Sequence, residues 1–190
     1  MFRKEIIIVV EGKDGRVETR RITVDKVGDG GRGGDLVTLW ALRLICCLFA
    51  NVPNGGSASI SFVDLTGAGR TVGCISYYSP SFLSSRCGGR APFVGFGSSS
   101  ATPSRSDYRL ASELARVQAS YVVDESAFEC RIVGSWTPTA SVSICEVGLY
   151  MRVCDYENVA RFVLFDRSVL SPCISVPGGS TVTATYVFRF

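Results

Sequence analysis

The sequence of 190 residues contains no histidine. That removes the side chain that most often moves protons and ligates metals near neutral pH, and with it the usual hydrolase triads. Lysine is scarce: Lys4, Lys13 and Lys26 lie near the N-terminus, and every later cation is arginine. A lysine-activated nucleophile would have to come from that terminal region. Charge is thin, 19% of residues against 46% hydrophobic, a dry balance that implies a partly covered surface. The 20 basic and 17 acidic residues form no run or stripe, which argues against nucleic acid as a partner. No apolar run reaches the roughly 20 residues needed to span a bilayer. The longest, LVTLWALRLICCLFA at 36–50, carries Arg43 in its middle. The opening MFRKEIIIVVEG shows no small-residue cleavage site, so a secretory leader is not expected.

Cysteine, by contrast, is plentiful, with eight at positions 46, 47, 74, 87, 130, 145, 154 and 173. None forms a C-x-x-C pair, so neither a zinc site nor a redox motif is expected. Buried free thiols fit this content, and so do disulfides in a protein made by a hyperthermophilic host. At least one disulfide is expected, because adjacent strands bring Cβ atoms within bridging range.

The pattern along the chain predicts an all-β protein. EIIIVVE (5–11) and RVETRRITVD (16–25), around GKDG, read as an N-terminal β-hairpin. The glycines of 28–34 read as a linker, and Asp35 stands as an N-cap before one helix over about 35–50. Strand and turn signals then recur to the C-terminus, at 57–65, 70–78, 91–97, 116–124, 127–136, 141–151, 159–166 and 181–190. This predicts a jelly-roll-like antiparallel sandwich over 35–190, preceded by a hairpin unit at 1–27. In 127–136 the spacing puts Phe128, Cys130, Ile132 and Trp136 on one face; at the C-terminus it groups Val182, Ala184, Tyr186, Phe188 and Phe190.

Several constellations invite a chemical reading. Gly28, Gly30 and Gly33 form a G-x-G-x-x-G between a strand and the expected helix, but the preceding strand is polar on alternate positions and no second βαβ unit follows. No cofactor is expected. Asp124, Glu125, Glu129, Glu146, Asp155, Glu157 and Asp166 could supply a glycosidase pair, yet solvated faces and turns account for most of them. Glu146 differs because it sits in the apolar strand ICEVGLYM; an ion pair with an arginine is the expected reason, and Gly148 beside it suggests a bulge or a close backbone approach. No metal site and no enzymatic activity are expected.

Residues 93–190 carry VGFGSSSATPSRSDYRL (94–110), ICEVGLY (144–150), ARFVLFDR (160–167) and PCISVPGGSTVTATYVFRF (172–190). In this order they resemble a sandwich module of virion proteins of tailed phages and archaeal viruses, of tail, fibre or capsid-surface type. Cys145 departs from the small polar residue usual there. The resemblance implies a structural role in a virion, with Glu146, Gly148, Leu149 and Tyr150 as a structural signature and no catalytic residues. The expected function is a self-assembling virion subunit whose partners are its own copies and other virion proteins. The alternative is a receptor- or carbohydrate-binding appendage using Tyr77, Tyr78, Tyr108 and Tyr156 as stacking platforms. Ile6, Ile7, Ile8, Val9 and Val10 are apolar on both faces, so this strand is a candidate donor to a neighbouring subunit's sheet; folding back on its own sandwich is the other option.

Overall fold

The β-branched run at the N-terminus folds as expected into strand β1 (Arg3–Glu11), which turns through Gly12–Gly15 into β2 (Val17–Val24). The turn is closed by Gly12 N–H to the Arg16 carbonyl, 2.8 Å, and needs Gly15 at φ 78°, where a side chain would be strained. β1 also pairs antiparallel with the last strand along nine residues, from Arg3↔Arg189 to Glu11↔Thr181. The computed structural model describes residues 3–24, 35–38, 58–75, 91–155, 157 and 159–189. They form an all-β structure with antiparallel pairing throughout and no helix among them.

The remaining strands are β3 (Asp35–Val37), β4 (Ala58–Val63), β5 (Gly69–Ile75), β6 (Pro92–Gly97), β7 (Glu113–Gln118), β8 (Ser120–Asp124), β9 (Glu129–Trp136), β10 (Val142–Cys154), β11 (Ala160–Val176) and β12 (Thr181–Arg189). Sheet A has the order β2-β1-β12-β9-β8 and sheet B the order β3-β11-β10-β6-β7; β4 and β5 form a separate hairpin. One core lies between the two five-stranded sheets. Sheet A supplies Ile6, Ile8, Val10, Val182, Ala184, Tyr186 and Phe188, and sheet B supplies Val94, Phe96, Val147, Leu149, Leu170, Ile174 and Val176. At Gly134 of β9 the sheets come so close that a Cβ would lie 2.7 Å from Val94 Cβ. The alternation read for β9 and β12 is observed over 130–136 and 182–188, since Cys130, Ile132 and Trp136 pack on this core beside the β12 residues, while Phe190 lies outside the described residues.

Three details correct the sequence reading. The helix expected over 35–50 does not begin at Asp35: residues 35–37 are β3, paired with Asp166–Ser168, and Thr38 continues the contact by donating to the Phe165 and Leu164 carbonyls. A short continuous apolar run fits a buried strand as well as a buried helix; residues 39–50, and the glycines of 28–34, lie outside the described residues. The strand expected over 116–124 is two strands in different sheets, because buried Ala119 turns the chain from β7 to β8 and donates its N–H to the Pro92 carbonyl, 2.9 Å. Phe128, expected on the core face, is 69% exposed in the β8–β9 turn at φ 49°.

An expected disulfide is present. The β10–β11 register shifts between Ile144↔Ile174 and Glu146↔Val169, and Cys145–Cys173 bridges the two strands at that irregularity. It closes a loop of sequence separation 28, for which the chain-entropy account gives about 3–4 kcal/mol. Cys154 is also disulfide-bonded, whereas Cys130 is a free thiol whose pKa burial raises.

Candidate functional site

After its bulge, β10 sends Val147 and Leu149 into the core and turns Glu146, Gly148 and Tyr150 to the opposite face of sheet B. Residues 98–112 lie across that face, and each of these three positions holds them. Glu146 is fully buried; its Oε1 accepts the Ser112 N–H at 2.7 Å, and its Oε2 accepts the Ala111 N–H at 3.1 Å and Arg167 Nε at 2.7 Å. Arg167, 3% exposed, also donates to Asp107 Oδ2 at 2.7 Å and to the Ala101 carbonyl at 3.0 Å. Burial would lower the Arg167 pKa, but hydrogen bonds to Asp107 and Glu146 outweigh it and raise the value. The expected ion pair of Glu146 is therefore Arg167, a planar fork suited to several acceptors at once.

Gly148 provides the expected close approach: a Cβ there would lie 2.8 Å from Leu110 Cδ2. Tyr150 accepts the Leu110 N–H at 2.9 Å and donates to Glu113 Oε2 at 2.9 Å. Burial first, and then the Glu113 charge, push its phenol pKa well above the ordinary value. Leu110, Tyr150 and Leu164 form a second small core, with Leu65, Phe93 and Phe162 against it, and the Arg116 guanidinium lies 4.3 Å above the Phe162 ring. Leu149, the remaining signature residue, faces the main core.

The other buried charges are also committed to neighbours. Lys4 of β1 and Asp166 of β11, 2% and 0% exposed, make an ion pair that joins the two sheets, and Ser168 donates to the second Asp166 oxygen. Two hairpin turns, β4–β5 and β10–β11, share one construction. Asp64 accepts the N–H groups of Thr66 and Ala68 and Arg70 Nε at 2.8 Å; Asp155 accepts the N–H groups of Glu157 and Val159 and Arg161 Nε at 2.7 Å. Each is an Asp with partners two, four and six residues on, and the turns meet where Arg161 Nη1 lies 3.9 Å from Asp64 and Arg70 Nη1 lies 3.9 Å from Glu157.

Burial would raise the Asp64 pKa, but the Thr66 hydroxyl, Arg70 and the two amides hold it at about 2, below the ordinary 3.8. Asp155 is shifted the same way against its burial, chiefly by Arg161. A depressed folded-state pKa gives stability that is present above the unfolded value and is lost as pH falls through the folded one. The Asp64 contribution should persist at pH 4 and disappear toward pH 2. An NMR carboxyl titration checks this, and a midpoint near 4 would contradict it.

Of the seven carboxylates considered for catalysis, Glu129, Glu146, Asp155 and Asp166 are buried and engaged with cations, Glu125 and Glu157 are exposed, and Asp124 is half-buried with its carboxylate drawn into the β8–β9 turn. Among the buried four, Glu146 stood out as an acid within an apolar strand, whereas the burial of Glu129, Asp155 and Asp166 leaves no mark in the hydrophobic pattern. Asp107 and Arg167 belong to the clamp but were not singled out; the SDYRL and ARFVLFDR segments held the signal. The repeated D-x5-R of the turns was also legible. No group of three or more His, Cys, Asp or Glu among the described residues could hold a metal ion, and no helix among them is long and apolar enough to cross a membrane.

The candidate donor strand lies in its own sheet, between β2 and β12. Ile6, Ile8 and Val10 are in the core, and Ile7 and Val9 are half-buried on the outer face. Tyr108 is half-buried, with the Arg109 guanidinium 5.5 Å from its ring centre; Tyr77, Tyr78 and Tyr156 lie outside the described residues. Comparison with protein families, curated proteins and solved structures finds no match to this chain.

Proposed function

We propose that the protein is a self-assembling structural subunit of a virion, a filament, tail, fibre or capsid-surface component on a jelly-roll-type scaffold, and not an enzyme. One observation carries the reading. The buried acids of the described residues are spent on arginine, lysine and backbone amides, while large apolar side chains stand exposed on one sheet edge: Tyr121 at 67%, Val122 at 59% and Val123 at 60%. Buried acids neutralised within the chain, beside an exposed apolar border, suit a part that is finished by contact with other copies. Strand exchange through Ile6–Val10 is a second route to such contacts, since β1 carries its apolar face into whichever sheet it completes.

The test is the oligomeric state of the purified full chain. Light scattering over a concentration series, with electron microscopy of the concentrated sample, should reveal self-association into regular particles or polymers. A chain that stays monomeric at millimolar concentration, with no ordered assembly, would overturn the proposal.

A further inference from the structure

Strand β8 (Ser120–Asp124) is the outermost strand of sheet A; β9 pairs with one of its edges, and no described strand pairs with the other. Its register, Tyr121↔Ile132 and Val123↔Cys130, puts Tyr121 and Val123 on the face that carries the core, although both are largely exposed. They extend the apolar layer past the point where sheet B covers it. Val122, opposite Arg131, projects from the other face. The strand lacks the usual protection of an edge: no lysine, proline or bulge interrupts it. Its single acid, Asp124, is drawn into its own turn by Ser126 Oγ at 2.7 Å and the Ala127 N–H at 3.1 Å. The opposite edge, β2, carries Glu18, Arg20 and Arg21, and Arg20 is tied to the Pro172 carbonyl at 2.7 Å.

We propose that β8 pairs antiparallel with β8 of a second copy about a two-fold axis at Val122, joining the two A sheets into one. This rests on the reading of the protein as a self-associating subunit and names the contact. In that register Val122 meets Val122, Tyr121 meets Val123, and Ser120 meets Asp124, so apolar groups face apolar groups and no like charges are opposed. Tyr121 and Val123 of both copies then close the open border of each other's core. Pairing β8 with β2 is disfavoured. Every neighbour in the order β2-β1-β12-β9-β8 is antiparallel, so β2 and β8 run the same way. Copies related by simple translation would pair in parallel, setting Tyr121–Val123 against Glu18–Arg21. Five residues a side make a small interface, so association should depend on concentration.

The two-fold gives a direct test, because residue 122 opposes itself. Val122→Glu and Val122→Lys each place like charges together, and both substitutions are at an exposed position that leaves the fold intact, as circular dichroism will verify. In sedimentation measurements on the full chain, each variant alone should associate at least about tenfold more weakly than the parent, and their equimolar mixture should recover association as a one-to-one pair. If both variants associate like the parent, the β8 contact is wrong while self-assembly stands. If both are weakened and the mixture does not recover, the two-fold register is wrong. A parent chain that never associates removes the assembly reading itself, and this contact with it.

Discussion

Replacing Arg167 by methionine is expected to destabilise the fold by about 3–5 kcal/mol and to release residues 98–112 from sheet B. The substitution keeps much of the side-chain volume and removes the cation. Glu146 then stays fully buried beside two amide donors without its counter-charge, the Ala101 carbonyl loses Arg167, and Asp107 is left with the Ser104 N–H. An uncompensated buried carboxylate is the main cost, so the double variant Glu146→Gln/Arg167→Met should lose clearly less than the single one. Urea unfolding gives the stabilities, and amide exchange at Ala111 and Ser112 reports the segment directly. Equal losses in single and double variants would mean that packing, not charge, holds the clamp. Against a typical total of about 5–15 kcal/mol, a loss of this size leaves a domain near its unfolding threshold.

What the sequence made legible follows from which physical signals are local. Alternation revealed β9 and β12, because each has one face on the core and one outside, and period two survives in the letters. The first hairpin was legible from β-branched runs around GKDG. The corner at Ala119 was not, since a strand that changes sheets keeps a continuous strand-like composition and only its partners change. β3 was hidden within an apolar run whose periodicity does not separate a buried strand from a helix. At the clamp, Glu146 stood out as an acid among apolar neighbours and Gly148 as a gap among large ones. Arg167 did not, because twenty-one residues and a register shift separate it from the acid it neutralises. Edge β8 was similarly concealed: SYVVD reads as any half-buried strand, and its exposure depends on being last in the order of sheet A.

That order also determines the consequence of losing β1. Deleting residues 1–11 is expected to abolish cooperative folding of the isolated chain. Among the described strands β2 is paired with β1 alone, and β12 would lose a partner along nine residues. Ile6, Ile8 and Val10 leave the core, at roughly 1.5–3 kcal/mol each, and Asp166 loses Lys4, a further loss of about 3–5 kcal/mol. Together these approach the whole stability of an ordinary domain. Differential scanning calorimetry should show no cooperative transition for the truncated chain. A sharp transition with native-like NMR dispersion would mean that the sandwich stands without β1. Because the vacancy between β2 and β12 has a defined shape and a buried acid opposite it, a synthetic peptide of residues 1–11 added during refolding should restore the transition. Rescue in trans is the physical requirement for one copy to supply this strand to another. A peptide that fails to rescue, with the truncated chain still unfolded, would restrict Ile6–Val10 to a role within their own chain.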